Sequence, residues 1–171
     1  MWKFRVPRCD ETSKMYIIHW YVQSKVKKVF AQGKKNILKK YNIFDTLLAN
    51  IEYANGVLVS LEACWVLPKT SPGSIDGKME VIGNKGALYI DTFQQGLTIV
   101  NSRGTLYPDT RHWPEMHGYI MGDLQNEIIH FLDCILNQKK PIASLHDAIY
   151  ALKVATLIEK SVLTGNAVLD E

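Results

Sequence analysis

The spacing of hydrophobic residues changes along the chain, and each change predicts a different kind of element. Over residues 13–23 the spacing is that of a helix. The stripe that we predict to face inward consists of Tyr16, Ile17, Trp20 and Tyr21. The run Lys28–Gln32 then predicts a short strand that ends at Gly33.

From Asp45 the period becomes two, which predicts two strands joined by a loop at Ala54–Gly56. The alternating apolar residues are Leu47, Ala49, Ile51 and Tyr53 before this loop and Val57, Val59, Leu61, Ala63 and Trp65 after it. A two-residue turn would mix polar and apolar residues on both faces of the pair. A three-residue loop with left-handed Gly56 sets Tyr53 opposite Val57 and unites the apolar rows, so we predict that loop.

The opposite face of these two strands is only half polar, because it carries Leu48, Leu58 and Cys64. An antiparallel sheet with one face in water normally shows a cleaner alternation of polar and apolar residues. We therefore expect a partner domain or another subunit to cover this face.

The remainder of the chain adds strands, a loop and two helices. The predicted elements are a hairpin at 78–91, strands at 97–100 and 105–107, an aromatic loop at 107–118, a helix at 123–137 and a final helix ending at Gly165. The predicted inward stripes of the two helices are Leu124, Ile128, Phe131, Leu132 and Ile135, then Ala148, Ala151, Leu152, Ala155, Ile158 and Val162. This order predicts an α+β fold, with helices on one face of a largely antiparallel sheet of about five or six strands.

Composition and length fit one globular domain, since the 171 residues are 47% hydrophobic and 22% charged. No apolar run approaches the ~20 residues that cross a bilayer, and the N-terminus lacks the apolar stretch of a signal peptide. The three cysteines are scattered and lack CxxC spacing, which favours a reducing compartment. We therefore expect a cytoplasmic protein without a membrane partner.

Positive charge is concentrated near the N-terminus. Residues 1–43 hold eleven lysines and arginines against two acids, although the whole chain has a net charge of only +3. Seven of these bases lie at Lys25, Lys27, Lys28, Lys34, Lys35, Lys39 and Lys40. We interpret them as a solvated strand and loop rather than a nucleic-acid surface; the alternative is a patch for an acidic partner or nucleic acid.

Sequence motifs for common catalytic and cofactor sites are missing. The chain has no GxGxxG, GxxxxGK[ST], HExxH or GxSxG pattern, so neither a dinucleotide-binding fold nor a P-loop is encoded. The aromatic loop carries Trp113, His112 and His117, which are our candidates for binding a sugar or polyol. Two alternatives are open: Trp113 could instead cover the sheet edge, and the histidines with Asp109 and Glu115 could hold a metal.

Several spaced segments resemble the C-terminal domain of the glucose–fructose oxidoreductase / inositol dehydrogenase (Gfo/Idh/MocA) family. They are the hairpin Met79–Asp91, the helical Glu127–Asp133, Lys140–Ser144 with Asp147 and Ala148, the closing Glu159–Ser161 with Thr164 and Gly165, and the strand pair Asp45–Val59. Together they cover residues 14–169 in the family's order.

The resemblance implies an NAD(P)-dependent oxidoreductase of sugars, inositols or related polyols. Such proteins pair an N-terminal Rossmann domain, which carries the glycine motif and a catalytic lysine, with an α+β domain that completes the substrate pocket and oligomerises through an open sheet face. This chain would be the second part alone, with residues 1–13 as a divergent or truncated segment and 14–171 as a single domain. NAD(P) is thus implied for a complete family member, and we assign no cofactor-binding residue here.

The family's catalytic aspartate and histidine, four residues apart, would fall on Cys9 and Ser13 in this chain. Neither side chain can exchange the proton of a substrate hydroxyl as that pair does. We therefore assign no catalytic residue and expect a domain inactive alone. We also expect homo-oligomers through the open sheet face, and a separate chain with a Rossmann domain as a further partner. The alternative is a non-catalytic binding module. Such a module would bind polyols or, through the basic residues 25–40, an acidic partner or nucleic acid.

Overall fold

The computed structural model describes residues 2–7, 11–68, 71, 76–93 and 95–170, with side chains from residue 14 onward. The chain divides into two compact units. The sheet unit combines residues 1–92 with 145–171, and the loop unit comprises residues 93–144. The sheet unit is therefore assembled from two separate stretches of chain.

Eleven strands, three α-helices and a short 3-10 turn at Lys39–Tyr41 are formed by the described residues. The strands are β1 (Trp2–Pro7), β2 (Val26–Lys34), β3 (Thr46–Tyr53), β4 (Leu58–Cys64), β5 (Lys78–Gly83), β6 (Gly86–Asp91), β7 (Ile99–Asn101), β8 (Gly104–Leu106), β9 (Glu115–Met116), β10 (Tyr119–Ile120) and β11 (Val168–Leu169). The helices are α1 (Glu11–Val22), α2 (Asp123–Leu136) and α3 (Leu145–Thr164). Seven of the strands, with α1 and α3, belong to the sheet unit.

The sheet of the sheet unit has the strand order β11-β2-β3-β4-β1-β5-β6. Every neighbouring pair is antiparallel except β1 and β4, which are parallel. The α+β fold with a largely antiparallel sheet is thereby confirmed. Two of its strands, β1 and β11, were not predicted from the pattern, and the predicted strands near 97–107 form a separate hairpin, β7–β8, in the loop unit.

The hairpin of β3 and β4 has the predicted three-residue loop. Ile51 is paired with Val59, and the N–H of Tyr53 donates to the carbonyl of Val57 at 2.9 Å. Gly56 has φ +84°, a left-handed conformation that favours glycine. Because this register puts both apolar rows on one face, the buried side of the sheet is continuous across the two strands.

The core lies between one face of the sheet and the helices α1 and α3. Fully buried side chains come from both layers: Met15, Ile18, Val29, Ala31, Leu47, Ala49, Ile51, Tyr53, Val59, Leu61, Ala151, Val154 and Ile158. The helix α3 contacts both α1 and β2. Helices therefore cover one face of the sheet, as the fold class requires.

The buried faces of α1 and α3 differ from the predicted ones. In α1, Met15, Ile18 and Val22 are buried, whereas Ile17 and Trp20 are 43% and 58% exposed. In α3 the buried residues are Ala151, Val154, Ile158 and Ser161, while Leu152 is exposed and Ala148 lies on the exposed side. These helices carry apolar residues on more than one side, so spacing alone selects no unique face.

The helix α2 has the predicted position, but its apolar stripe is not buried. The side chains of Leu124, Ile128, Phe131, Leu132 and Ile135 are each more than 40% exposed, and the buried residue of α2 is Cys134. Among the helices of the described residues, none is both long and apolar enough to cross a membrane.

Candidate functional site

The loop that holds the candidate polyol-binding residues is organised by the carboxylate of Asp109. One oxygen, Oδ1, accepts hydrogen bonds from the N–H groups of Arg111 at 3.2 Å and His112 at 3.0 Å. The other, Oδ2, accepts one from the N–H of Trp113 at 2.9 Å. Burial alone would raise the pKa of Asp109, but these N–H donors outweigh it and hold the pKa well below its usual range. Asp109 is therefore an anion that fixes the backbone on both sides of His112.

The imidazole of His112 is held by the same carboxylate. Its Nδ1 lies 2.9 Å from Oδ1 of Asp109, and its side chain is only 16% exposed. Because that carboxylate is ionised and can only accept, Nδ1 must carry the ring hydrogen, and the lone pair is left on Nε2. A neutral histidine in this tautomer is a hydrogen-bond acceptor, which suits the hydroxyl group of a ligand.

A second side chain, Gln95, braces this arrangement from another part of the loop unit. Its Oε1 accepts a hydrogen bond from the N–H of Thr110 at 2.7 Å, and its Nε2 lies 3.1 Å from Nδ1 of His112. Because Nδ1 carries the ring hydrogen and the amide nitrogen is also a donor, this second contact is a close approach and not a hydrogen bond, so Gln95 fixes the backbone at Thr110. The sequence pattern did not single out Gln95, because glutamine in a loop carries no spacing signal.

The three candidate residues are only partly brought together. The rings of His112 and Trp113 have centroids 5.7 Å apart, and Trp113 is 46% exposed. His117 occupies the turn between β9 and β10, with φ +53°, and its side chain is exposed. The structure therefore joins His112 and Trp113 with Asp109, and places His117 on a neighbouring hairpin.

The first residues of α2 are hydrogen-bonded to the loop. The N–H groups of Asp123 and Leu124 donate to the carbonyls of Arg111 and His112 at 2.9 and 3.1 Å. Gly122 precedes the helix with φ +96°, and a Cβ there would lie 2.2 Å from the Arg111 carbonyl oxygen. Only glycine fits this position, so Gly122 belongs to the support of the site.

The same contacts test whether this chain could hold a dinucleotide. A pyrophosphate is bound by glycine backbone and free N–H groups where a strand leads into a helix. Among the described residues, Gly122 occupies such a junction, but the Arg111 carbonyl fills the space beside it and loop carbonyls take the first N–H groups of α2. The described residues therefore offer no pyrophosphate cradle at this junction. They also contain no group of three His, Cys, Asp or Glu side chains that could hold a metal.

The lysine cluster does not form one patch. Lys25, Lys27 and Lys28 lie at the beginning of β2, and the other four lie at or beyond its end. A strand of nine residues spans roughly 26 Å at about 3.3 Å per residue. Glu52 also pairs with Lys27 at 2.6 Å and Lys28 at 3.2 Å. This division weakens the case for a single nucleic-acid surface.

The residues that would correspond to the family's catalytic pair are little described. Cys9 lies outside the described residues, and Ser13 is described only as part of the backbone of α1. Nothing in the described structure therefore adds a catalytic side chain at these positions. The loop that the sequence predicts at residues 68–77 lies largely outside the described residues as well.

The α+β fold is that of the C-terminal domain of an oxidoreductase family. The model of the "Oxidoreductase family, C-terminal alpha/beta domain" (Gfo/Idh/MocA) matches residues 12–168. The chain belongs to this family, and the resemblance in the sequence is confirmed.

Known relatives agree with this assignment. The scyllo-inositol 2-dehydrogenase (NAD(+)) of Bacillus subtilis is 31% identical over 132 residues, which cover 75% of this chain and 36% of that protein. GenD2 from gentamicin A biosynthesis, solved in complex with NAD, has a similar fold, with a TM-score of 0.80 and 15% identity over 99% of this chain and 55% of GenD2. Scyllo-inositol dehydrogenase from Lactobacillus casei, solved with NAD(H) and scyllo-inositol, has a TM-score of 0.69 and 18% identity to this chain. That match covers 98% of this chain and 56% of the Lactobacillus chain. The chain spans about a third of the curated relative and about half of these solved chains.

Proposed function

We propose that this chain is the substrate-binding and self-associating domain of an NAD(P)-dependent polyol or sugar oxidoreductase, and that it has no dehydrogenase activity alone. The observation that carries this proposal is the Asp109–His112 pair beside the exposed ring of Trp113. Family membership supports the reaction class, and the relatives named for scyllo-inositol support a polyol as ligand.

The loop offers two complementary contacts to a polyol. The Nε2 lone pair of His112 accepts a hydrogen bond from a ligand hydroxyl, while Asp109 keeps the imidazole in the accepting tautomer. The indole of Trp113 provides an apolar surface against which the C–H face of a sugar ring packs. Such a pairing of a few placed polar groups with an aromatic wall is typical of small-molecule sites.

Calorimetric titration of the chain with scyllo-inositol, myo-inositol and glucose tests the site. We expect saturable binding of at least one polyol, and roughly tenfold weaker binding for Trp113→Ala and for His112→Phe. Trp65→Ala, at a 44% exposed tryptophan of the sheet unit, is the matched control and should bind as the wild type does. Absence of binding to the whole panel would contradict the proposed site.

The lack of activity alone is tested separately with NADH. The chain should neither enhance nor quench NADH fluorescence, because its described residues provide no phosphate cradle. Adding a separately expressed nucleotide domain tests whether such a chain is a partner: the two should form a complex, although Cys9 and Ser13 leave it without the family's proton-transferring pair. Binding of polyol without any effect of a nucleotide domain would instead favour a non-catalytic polyol-binding domain.

We also propose that the chain self-associates through the sheet face opposite the helices, which we call the outer sheet face. Its exposed apolar side chains are Phe30, Leu48, Leu58, Ile82 and Tyr89. They alternate with polar and charged residues, so the face is neither a core nor an ordinary polar surface. Sedimentation velocity should show a dimer or larger species that Leu48→Lys weakens, whereas Leu163→Lys on the exposed side of α3 should not. A monomer at high concentration would refute this part.

A further inference from the structure

The sheet unit contains a cleft that the proposed polyol site does not use. It has a volume of about 810 Å³ and lies among the end of α1, the first residues of β2 and the first turns of α3. This volume falls within the range of roughly 300–1,000 Å³ that is typical of small-molecule sites. The cleft is therefore large enough for a metabolite of one ring.

One wall of the cleft is formed by two stacked rings. The imidazole of His19 lies over the ring of Tyr150, with centroids 3.9 Å apart and an interplanar angle of 32°. The Tyr150 hydroxyl is fixed by two hydrogen bonds: it accepts one from the N–H of Val26 at 2.9 Å and donates one to the carbonyl of Ser24 at 3.1 Å. Because Tyr150 cannot turn without losing both bonds, this wall is preorganised for a flat or ring-shaped body.

A polar atom of the same wall has no partner within the protein. The Nδ1 of His19 is buried and forms no hydrogen bond to any of the described residues. A buried polar atom without a partner costs free energy, and native structures usually satisfy it. This atom therefore marks His19 as the least satisfied polar group of the wall, although the atom is itself shielded from solvent.

The charged residues that line the cleft are mostly cationic. They comprise Lys25, Lys27 and Lys153 against the single carboxylate of Asp170. Lys153 is paired with Asp170 at 2.6 Å, and Lys27 is paired with Glu52 outside the lining. Lys25 forms no ion pair with any of the described residues, so its ammonium group remains for a ligand.

From these observations we propose that the cleft binds a small organic anion, whose ring packs on the wall of His19 and Tyr150 and whose carboxylate or phosphate group pairs with Lys25. The apolar side chains of Val26 and Ile149 complete the lining next to that ring. This site lies in the sheet unit and is independent of the His112 loop, so either can fail without the other.

Titration of the full chain with phenyl phosphate at low ionic strength tests the proposal. Calorimetry measures the affinity, and NMR of the backbone amides shows where the ligand binds. We expect saturable binding with shifts at Val26 and Ala54, which line the cleft. Phenol, which has the ring without the charge, should bind at least about tenfold more weakly, and inorganic phosphate shows how much of the affinity the ring supplies. Benzoate replaces phenyl phosphate to distinguish a carboxylate from a phosphate ligand.

Two substitutions and one control complete the test. Lys25→Glu should weaken phenyl phosphate binding about tenfold or more, and His19→Ala, which removes one ring of the wall, should weaken it severalfold. Lys39→Glu makes the same charge change on the turn Lys39–Tyr41 beyond the far end of β2 and should leave affinity within about twofold. No saturation, equal affinity for phenol, or equal losses for Lys25→Glu and Lys39→Glu would overturn the proposal. The wild-type NMR shifts decide it even if a variant folds poorly.

Discussion

The side-chain hydroxyl of Ser161 on α3 accepts a hydrogen bond from the main-chain N–H of Ala31 in β2 at 2.9 Å. Ser161 is fully buried, and its hydroxyl in turn donates to the carbonyl of Asn166 at 2.6 Å. The short strand β11 pairs with Lys28 and Val29 but stops before Ala31. One serine therefore continues the hydrogen bonding of β2 where its edge partner ends.

Ser161→Ala should destabilise the chain by about 1–3 kcal/mol, because it leaves the buried N–H of Ala31 without an acceptor. Urea denaturation followed by circular dichroism measures the change. Thr156→Ala is the matched control, since that hydroxyl is exposed and donates to the carbonyl of Leu152 in its own helix. Equal losses in the free energy of unfolding for the two variants would show that the hydrogen bond to Ala31 adds no stability beyond that of an exposed hydroxyl.

Two tyrosines of the sheet unit, the buried Tyr53 and the half-buried Tyr150, should respond to substitution in opposite ways. The hydroxyl of Tyr53 is buried without a partner among the described residues, and burial raises its pKa. Tyr53→Phe should therefore be neutral or stabilising by up to about 1 kcal/mol. Tyr150→Phe removes the acceptor of the Val26 N–H and should cost about 1–3 kcal/mol. Thermal melting of both variants checks the contrast, and a loss for Tyr53→Phe would mean that its hydroxyl does find a partner.

The acid sensitivity of the fold should depend on Asp45. This carboxylate is fully buried; the hydrogen bond from the N–H of Leu38, with that from Asn36, holds its pKa below the usual value against the effect of burial. A lowered pKa in the folded state gives stability that is present above the unfolded pKa of about 4 and is lost as the pH falls through the folded pKa.

Asp45→Asn should therefore be less stable than the wild type at pH 7, and its stability should decline less steeply below about pH 4. Urea midpoints measured at a series of pH values between about 2 and 7 show this difference in slope. Glu159→Gln removes an exposed carboxylate from α3 and serves as the control. If the stability of Asp45→Asn falls as steeply at low pH as that of the wild type, Asp45 is not the source of the acid sensitivity.

The loop of the β3–β4 hairpin should require glycine at residue 56. Gly56→Ala places a side chain at φ +84° and should cost about 1–2 kcal/mol, although no atom lies near the added Cβ. Gly83→Ala, in β5 and without a left-handed backbone, should cost clearly less. Chemical denaturation of the two variants compares the costs; equal values would rule out backbone strain as the cause.

Gly122→Ala should damage the candidate polyol site without touching its side chains. The added Cβ would clash with the carbonyl of Arg111 and displace the segment that carries His112. We expect polyol affinity to fall at least about tenfold, as for Trp113→Ala. Gly96→Ala, another left-handed glycine of the loop unit with open space around it, separates this effect from backbone strain. Unchanged affinity in Gly122→Ala would show that the loop does not depend on this packing.

The elements that the sequence predicts best are those whose period and turn chemistry agree. The hairpin around Gly56 is one case, because alternation of two and a glycine at the required position allow a single register. The face of α1 could not be predicted in the same way, since Ile17 and Trp20 are as apolar as Met15 and Ile18 and only the sheet decides which pair is buried. The strand β1 was missed because its partners, β4 and β5, lie far away in the sequence.

The sequence predicts which residues belong to the candidate site, but it does not predict the contacts that hold them in place. Trp113 and His112 stand out as an aromatic and a titratable residue in one loop, and Asp109 precedes them at a spacing that allows a side-chain cap. The contact of Gln95 with His112 and the packing of Gly122 on Arg111 depend on the path of the loop in space. No local pattern encodes such a path.

The assembly of the sheet unit from residues 1–92 and 145–171 has a consequence for its synthesis. While the ribosome is still translating the intervening segment, the strands of the nascent sheet have neither α3 over their apolar face nor Ser161 beside Ala31. The emerging polypeptide must then be shielded by chaperones or remain loosely collapsed until its last helix leaves the exit tunnel.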